Sequence, residues 1–248
     1  MKLDIVTIFP RMVEAGLAEG VIGRGIERRI LDIQVHDLRD YTTDRHRSVD
    51  DVPYGGGPGM VMKPEPLARA VEDIRTRRGE PGAVILLSPQ GRKFTQTEAV
   101  RMSAMPHLVL LCGRYEGMDE RVRTAVATDE LSIGDYVLSG GELPALVVVD
   151  AVCRLVPGVV GDVRSVEQDS FSRGLLDYPH YTRPSEFAGQ KVPDVLLSGH
   201  HEEVRRWRKM TALRRTLERR PELLNTAALD DEERRMLDEI RKEQETGQ

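Results

Sequence analysis

The sequence predicts an α/β protein with a largely parallel sheet, joined to a smaller all-helical C-terminal part. Three observations carry that expectation. Strand-like apolar runs recur at residues 2–9, 33–38, 83–88, 108–112 and 131–133, and helical patterns lie between several of them. Periodicity disappears across residues 157–189, where charged, aromatic and turn residues mix without an apolar stripe. Beyond that stretch the chain reads as long helices, beginning near His200 and continuing in pieces to Glu245.

Each element has its own signal. Pro64 and Pro66 suit the first turn of a helix over residues 64–78, and Gly79 suits its end. Helical spacing returns over residues 95–104, 118–127 and 142–155. The expected organisation is a domain over residues 1–160, a linker over 161–189 and a helical domain over 190–248.

Composition narrows the function classes. Of 248 residues 40% are hydrophobic but only 4% aromatic, so the core must be built from Val, Leu, Ile, Ala and Met. With 36 basic against 41 acidic side chains the net charge is -5, which excludes a uniformly basic protein but not a local basic patch. Cys112 and Cys153 lie in apolar runs without CxxC spacing, so neither a disulfide framework nor a structural zinc site is expected. The apolar segment at residues 5–9 is too short for a signal-peptide core, and the most apolar stretch, 143–160, contains Asp150, Arg154 and Pro157. A cytoplasmic protein without membrane association is the expectation.

Three segments concentrate glycine: YGGGPGM at 54–60, LCGRYEG at 111–117 and SIGDYVLSGGELP at 132–144. None has the spacing of a phosphate loop or a clean GxGxxG after a strand, which demotes ATP hydrolysis and ordinary NAD binding. The second and third follow strand-like runs, as does Ser88-Pro89-Gln90-Gly91, so all three are expected as loops at the carboxyl edge of the sheet. Loops converging there can enclose a nucleoside-sized ligand with main-chain groups.

The C-terminal part has a charge split. Between His200 and Arg220 eight basic residues (Arg205, Arg206, Arg208, Lys209, Arg214, Arg215, Arg219, Arg220) face three acidic ones, and beyond Arg220 the sign reverses. Val204, Trp207, Met210, Leu213 and Leu217 recur at helical spacing, so one face packs while guanidinium groups project elsewhere. Two readings stand side by side: a solvated face paired with the acidic tail, or a surface that attracts phosphates whatever the base sequence.

The motifs GGGPGM at 55–60, LCGRYEG at 111–117, SIGDYVLSGGELPA at 132–145, EQDSF with YPHYTRP within 167–184, and GHHEEVRRWR at 199–208 resemble the bacterial tRNA (guanine-N1)-methyltransferase (TrmD) family, in the family's order and over nearly the whole chain. The resemblance implies a methyl donor, S-adenosylmethionine, held in a trefoil-knotted domain, and a guanine acceptor immediately 3′ of the anticodon of tRNA. It also implies a homodimer with composite active sites, and possible dependence on Mg2+ at a site left unknown. Nothing in periodicity reveals a knot, which general topology rules disfavour.

Methylation at guanine N1 needs a base for the N1 proton and a cation for the charge that develops at O6. By resemblance these are Asp169 and Arg154, with Glu116 as a third catalytic candidate that orients donor or arginine or assists magnesium. Each has a plainer alternative: an Asx-turn or cap for Asp169 beside Gln168, a salt bridge to Asp150 for Arg154, and a surface carboxylate for Glu116. Donor contacts carried over by motif are Ser88, Pro89, Gln90, Gly113, Ile133, Gly134, Asp135, Tyr136, Val137, Leu138, Gly140 and Gly141, with Ser170 and Asp177 from the loop of the other subunit. Tyr136 has core packing as its alternative. His46, Asp50 and Trp207 are candidate tRNA contacts, Trp207 with a packing alternative. Rival functions are a related knotted methylase acting on another RNA, and a noncatalytic RNA-binding module; the Asp169 and Arg154 pair favours base chemistry over both.

Overall fold

The structure, a computed structural model, describes residues 1–162 and 169–246. Val166, Glu167 and Gln168 of the aperiodic run lie outside the described residues. The chain forms two compact units, Met1–Gly161 and Asp162–Gln248.

The first unit contains β1 (Lys2–Thr7), α1 (Pro10–Leu17), α2 (Gly20–Glu27), β2 (Asp32–Asp37), β3 (Asp50–Asp51), β4 (Val61–Met62), α3 (Pro64–Arg78), β5 (Ala83–Lys93), α4 (Gln96–Ser103), β6 (His107–Cys112), α5 (Glu120–Ala125), β7 (Asp129–Ser132) and α6 (Glu142–Cys153). Five strands make one parallel sheet in the order β2-β1-β6-β5-β7. Apolar side chains alternate between its faces: Leu108, Leu110 and Cys112 of β6 enter one cluster, Val109 and Leu111 the other. Both faces are covered, which is why the inner strands read as unbroken apolar runs.

Departures from expectation have local causes. β1 ends at Thr7 because Pro10 opens α1. The eight-residue helices α1 and α2 hold about two turns each, too few for a period to show in the sequence. Helix α5 covers only Glu120–Ala125 of the expected 118–127, starting behind Asp119, whose side chain accepts from the Arg121 N–H. The main correction concerns Ser88-Pro89-Gln90-Gly91, expected as a loop at the strand end. These residues are a bulge inside β5: Leu87 and Arg92 both register with Leu131, and Lys93 with Ser132. A Cβ at Gly91 would collide with the Leu131 main chain, so glycine permits the crossing.

In the second unit a short hairpin, β8 (Glu186–Phe187) with β9 (Gln190–Lys191), precedes α7 (His201–Arg219) and α8 (Asp231–Thr246). Leu175, Leu213, Met236 and Ile240 form its core. Helix α8 opens on a reciprocal cap: Glu233 N–H donates to Asp230 Oδ1 at 2.8 Å and Asp230 N–H to Glu233 Oε2 at 2.9 Å. Residues of the aperiodic run pack on α7, with the Leu176 N–H donating to the buried Thr216 Oγ1 at 2.9 Å.

Candidate active site

At the carboxyl edge of β5, β6 and β7 lies a cavity of about 390 Å³. Its walls come from the β5 bulge, the loop after β6 and the loop after β7. Ser88, Pro89, Gln90, Gly113, Glu116, Ile133, Gly134, Tyr136, Val137, Leu138, Gly140 and Gly141 all line it. Asp135 does not; its exposed carboxylate pairs with Lys93 Nζ at 2.8 Å. Tyr136 is 54% exposed, so it belongs to the rim and not to the core.

Much of the wall is main chain. Ser88 Oγ accepts from the Gln90 N–H at 3.1 Å, folding the bulge on itself. Ser132 Oγ accepts from the Gly134 N–H at 3.2 Å and donates to the Gly134 carbonyl at 3.1 Å. Gly141 N–H donates to the Gly113 carbonyl at 2.8 Å, and a Cβ on Gly141 would lie 2.7 Å from Cys112 Cα. Its φ is -82°, so close approach and not a left-handed backbone demands glycine there.

A buried polar chain ties these loops to the sheet. Glu142, the first residue of α6 and fully buried, accepts from Thr7 Oγ1 at 2.7 Å and from Arg114 Nε at 2.8 Å. Arg114 also donates to the Ser139 carbonyl at 3.1 Å and lies over the Phe9 ring at 4.4 Å. Sequence reasoning missed both partners as site-building residues. The available signal was a charged residue directly after glycine inside each motif, Arg114 in LCGRYEG and Glu142 in SGGELP.

Glu116 is exposed within the cavity, its N–H held by the Met60 carbonyl at 3.0 Å and its side chain against Gly59. The GGGPGM segment therefore meets the LCGRYEG loop. Tyr115 has φ +60°; burial, then the charge of Asp50 and a hydrogen bond to it, push its hydroxyl pKa up. Among the described residues no group of three or more His, Cys, Asp or Glu could hold a metal ion.

Arg154 is the C-cap of α6 in the first unit and is not among the residues lining that cavity. Asp169 lies in the second unit, on a cavity of about 320 Å³ with Asp177, Tyr178, His201 and Arg208. Ser170 Oγ accepts from the Asp177 N–H at 3.0 Å, and Asp177 Oδ2 bonds His180 Nε2 at 2.8 Å. Trp207 is half-buried and faces Tyr181 at a ring distance of 6.3 Å, while His46 is exposed.

Comparison with known proteins decides among the rivals. The family model described as tRNA (Guanine-1)-methyltransferase TrmD matches residues 1–226. The chain belongs to this TrmD family. A tRNA (guanine-N(1)-)-methyltransferase of Pelotomaculum thermopropionicum is 56% identical over 241 residues, covering 97% of this chain and 96% of that protein. Proteins of the same description from Halalkalibacterium halodurans and Dictyoglomus turgidum are each 53% identical, covering 99% and 98% of this chain and 100% and 98% of their own lengths. The cavity-lining segments are thus segments of a TrmD-family chain matched nearly end to end.

Proposed function

We infer that the protein is an S-adenosylmethionine-dependent enzyme that methylates N1 of guanine 37, immediately 3′ of the anticodon of tRNA. The observation carrying this reading is nearly full-length membership of the TrmD family joined to one cavity walled by the β5 bulge and the glycine loops after β6 and β7. Adenine and ribose fit walls of main-chain amides and carbonyls with Ile133 and Leu138 as apolar faces, and Ser170 and Asp177 reach the donor from the other subunit. When bound, S-adenosylmethionine supplies a methyl carbon made electrophilic by its sulfonium.

The chain's own work is on the guanine. N1 carries a proton and is a poor nucleophile until it leaves; Asp169 accepts that proton, and Arg154 stabilises the negative charge that grows at O6. Among the described residues no cluster of three or more His, Cys, Asp or Glu would cage Mg2+; Glu116 would offer it a single carboxylate, and water and RNA oxygens would have to supply the rest. The labour divides as donor binding by residues 1–160, the Asp169 loop by 161–189 and tRNA holding by 190–248. The knotted path of the donor domain is carried into this reading by membership of the family alone.

A homodimer with composite sites completes the reading. Phe9 and Met12, at the start of α1, and Leu143 and Val147, on α6, are 43%, 39%, 47% and 47% exposed, large apolar side chains on two contacting helices that would suit burial against a second copy. No helix among the described residues is long and apolar enough to cross a membrane, and a tRNA substrate puts the work in the cytoplasm.

The test is single-turnover methylation of unmodified tRNA. Asp169→Asn keeps shape without basicity, so the rate should fall by roughly two to four orders of magnitude while donor affinity holds. A wild-type rate at saturating tRNA and donor would remove Asp169 from the mechanism.

A further inference from the structure

Helix α7 carries eight basic residues from Arg205 to Arg220 when its C-cap is included, and the structure sorts them. Arg205 pairs with Glu232 at 2.8 Å, Arg206 with Glu239 at 3.4 Å, and Arg214 with Glu243 at 2.6 Å. Lys209 lies 2.8 Å from both Asp230 and Glu232. Hydrogen bonds from Arg205 and Lys209 hold the Glu232 carboxyl down to about 2, so that carboxylate stays charged at any physiological pH. Arg220 pairs with Glu222.

Three arginines are left. Arg208 lies over the Tyr178 ring at 5.0 Å and has no carboxylate partner among the described residues. Arg215 gives one N–H to the Asp177 carbonyl at 3.2 Å, and Arg219 has no carboxylate partner among the described residues. At 3.6 residues per turn these three and His201 fall within about 40° of one another around the helix axis, and the four cations paired to carboxylates at or in α8 fall outside that arc. From His201 to Arg219 the stripe runs about 27 Å along the axis. At its amino-terminal end, His201 and Arg208 open onto the cavity that also contains Asp169 and Asp177.

We propose that the helical unit holds the RNA backbone on this single arc of His201, Arg208, Arg215 and Arg219, and that Arg205, Arg206, Lys209 and Arg214, neutralised by acidic residues of α8 and its cap, and Arg220, neutralised by Glu222, take no phosphate. The physical reason is exchange. A guanidinium already bonded to a carboxylate must break that pair to take a phosphate, whereas an uncommitted one displaces only water and mobile ions. Arg208 adds geometry: stacked on Tyr178 beside Asp169, it is a positioning residue for a phosphate flanking the base whose proton Asp169 accepts. The inference rests on the reading of residues 190–248 as the tRNA-holding part.

Binding of unmodified tRNA to the full-length protein, measured across a series of salt concentrations, tests it. Arg208→Ala and Arg219→Ala should each weaken binding and flatten the salt dependence by roughly 0.7–0.9 in the log–log slope, the value of one phosphate contact. Arg206→Ala and Arg214→Ala should leave the slope unchanged, and in all four variants the helical circular-dichroism signal and its thermal transition should match wild type, showing that the helical unit is folded, while calorimetric donor affinity holds. If all four flatten the slope equally, the helical unit binds RNA but the sorting is wrong. If none does while the wild-type protein keeps a steep slope, the tRNA-holding role of this unit falls with it.

Discussion

Asp4 is a carboxylate shut inside the protein. It is fully buried on β1, at the amino edge of the sheet, and takes His36 Nε2 and His107 Nε2 at 2.7 Å each and Arg78 Nε at 2.9 Å. Burial alone would raise its pKa, but the two imidazole bonds and the guanidinium outweigh it and hold the carboxyl below its ordinary 3.8. A pKa depressed by folding contributes stability that is present above the unfolded value and is lost as pH falls through the folded one. Thermal midpoints should therefore drop as pH goes below about 4. Asp4→Asn at neutral pH should cost about 3 kcal/mol, since Arg78 and the imidazoles lose their anion inside the protein. An Asp4→Asn protein with an unchanged melting curve at pH 7 would show that the cluster contributes nothing. None of this was legible beforehand, because the four residues are separated by up to 103 positions.

At the scale of elements, strands with both faces covered announced themselves, as did α3, whose bounds Pro64–Arg78 are the ones its prolines and Gly79 predict. The β5 bulge did not, since Ser88-Pro89-Gln90-Gly91 carries the composition of a turn and only the renewed pairing of Arg92 and Lys93 with β7 reveals a strand. Surface charge fastens the renewed segment: Arg92 pairs with Asp129 and Glu98, and Arg101 reaches the same two carboxylates at 3.1 and 3.0 Å. Gly91→Ala should push β5 from β7, costing about 1–3 kcal/mol as overpacking does, and should weaken S-adenosylmethionine binding in calorimetry. Unchanged stability and donor affinity would mean that the crossing has more room than its geometry shows. The candidate site was legible in the same uneven way. Its glycine loops stood out by composition, while the Thr7–Glu142–Arg114 chain that fastens them is assembled from three distant segments. Of the two readings of the basic helix, pairing with the acidic segment is what the structure shows, for Arg205, Arg206, Lys209 and Arg214; the phosphate-holding reading is the proposal made above.

For the whole molecule, the proposed sharing of sites between subunits makes a quantitative claim. A subunit carrying Asp169→Ala, paired with one carrying Leu138→Trp to fill the donor cavity from its rim, leaves one intact site per dimer; verified heterodimers should recover about half of wild-type activity although each parent is inactive. Heterodimers as inactive as their parents would restrict each site to one chain. The glycines that admit close main-chain passage bear on selection under an inhibitor. Gly140 and Gly141 line the cavity, and a methyl group on either would strike Arg114 or the Cys112 backbone. A compound anchored on that wall grips peptide groups, which no substitution can remove, at positions where even alanine collides with its neighbours. Escape would then have to come from the exposed rim, at Tyr136, Val137 or Leu138, and a compound that leaves the rim untouched leaves few routes open to it.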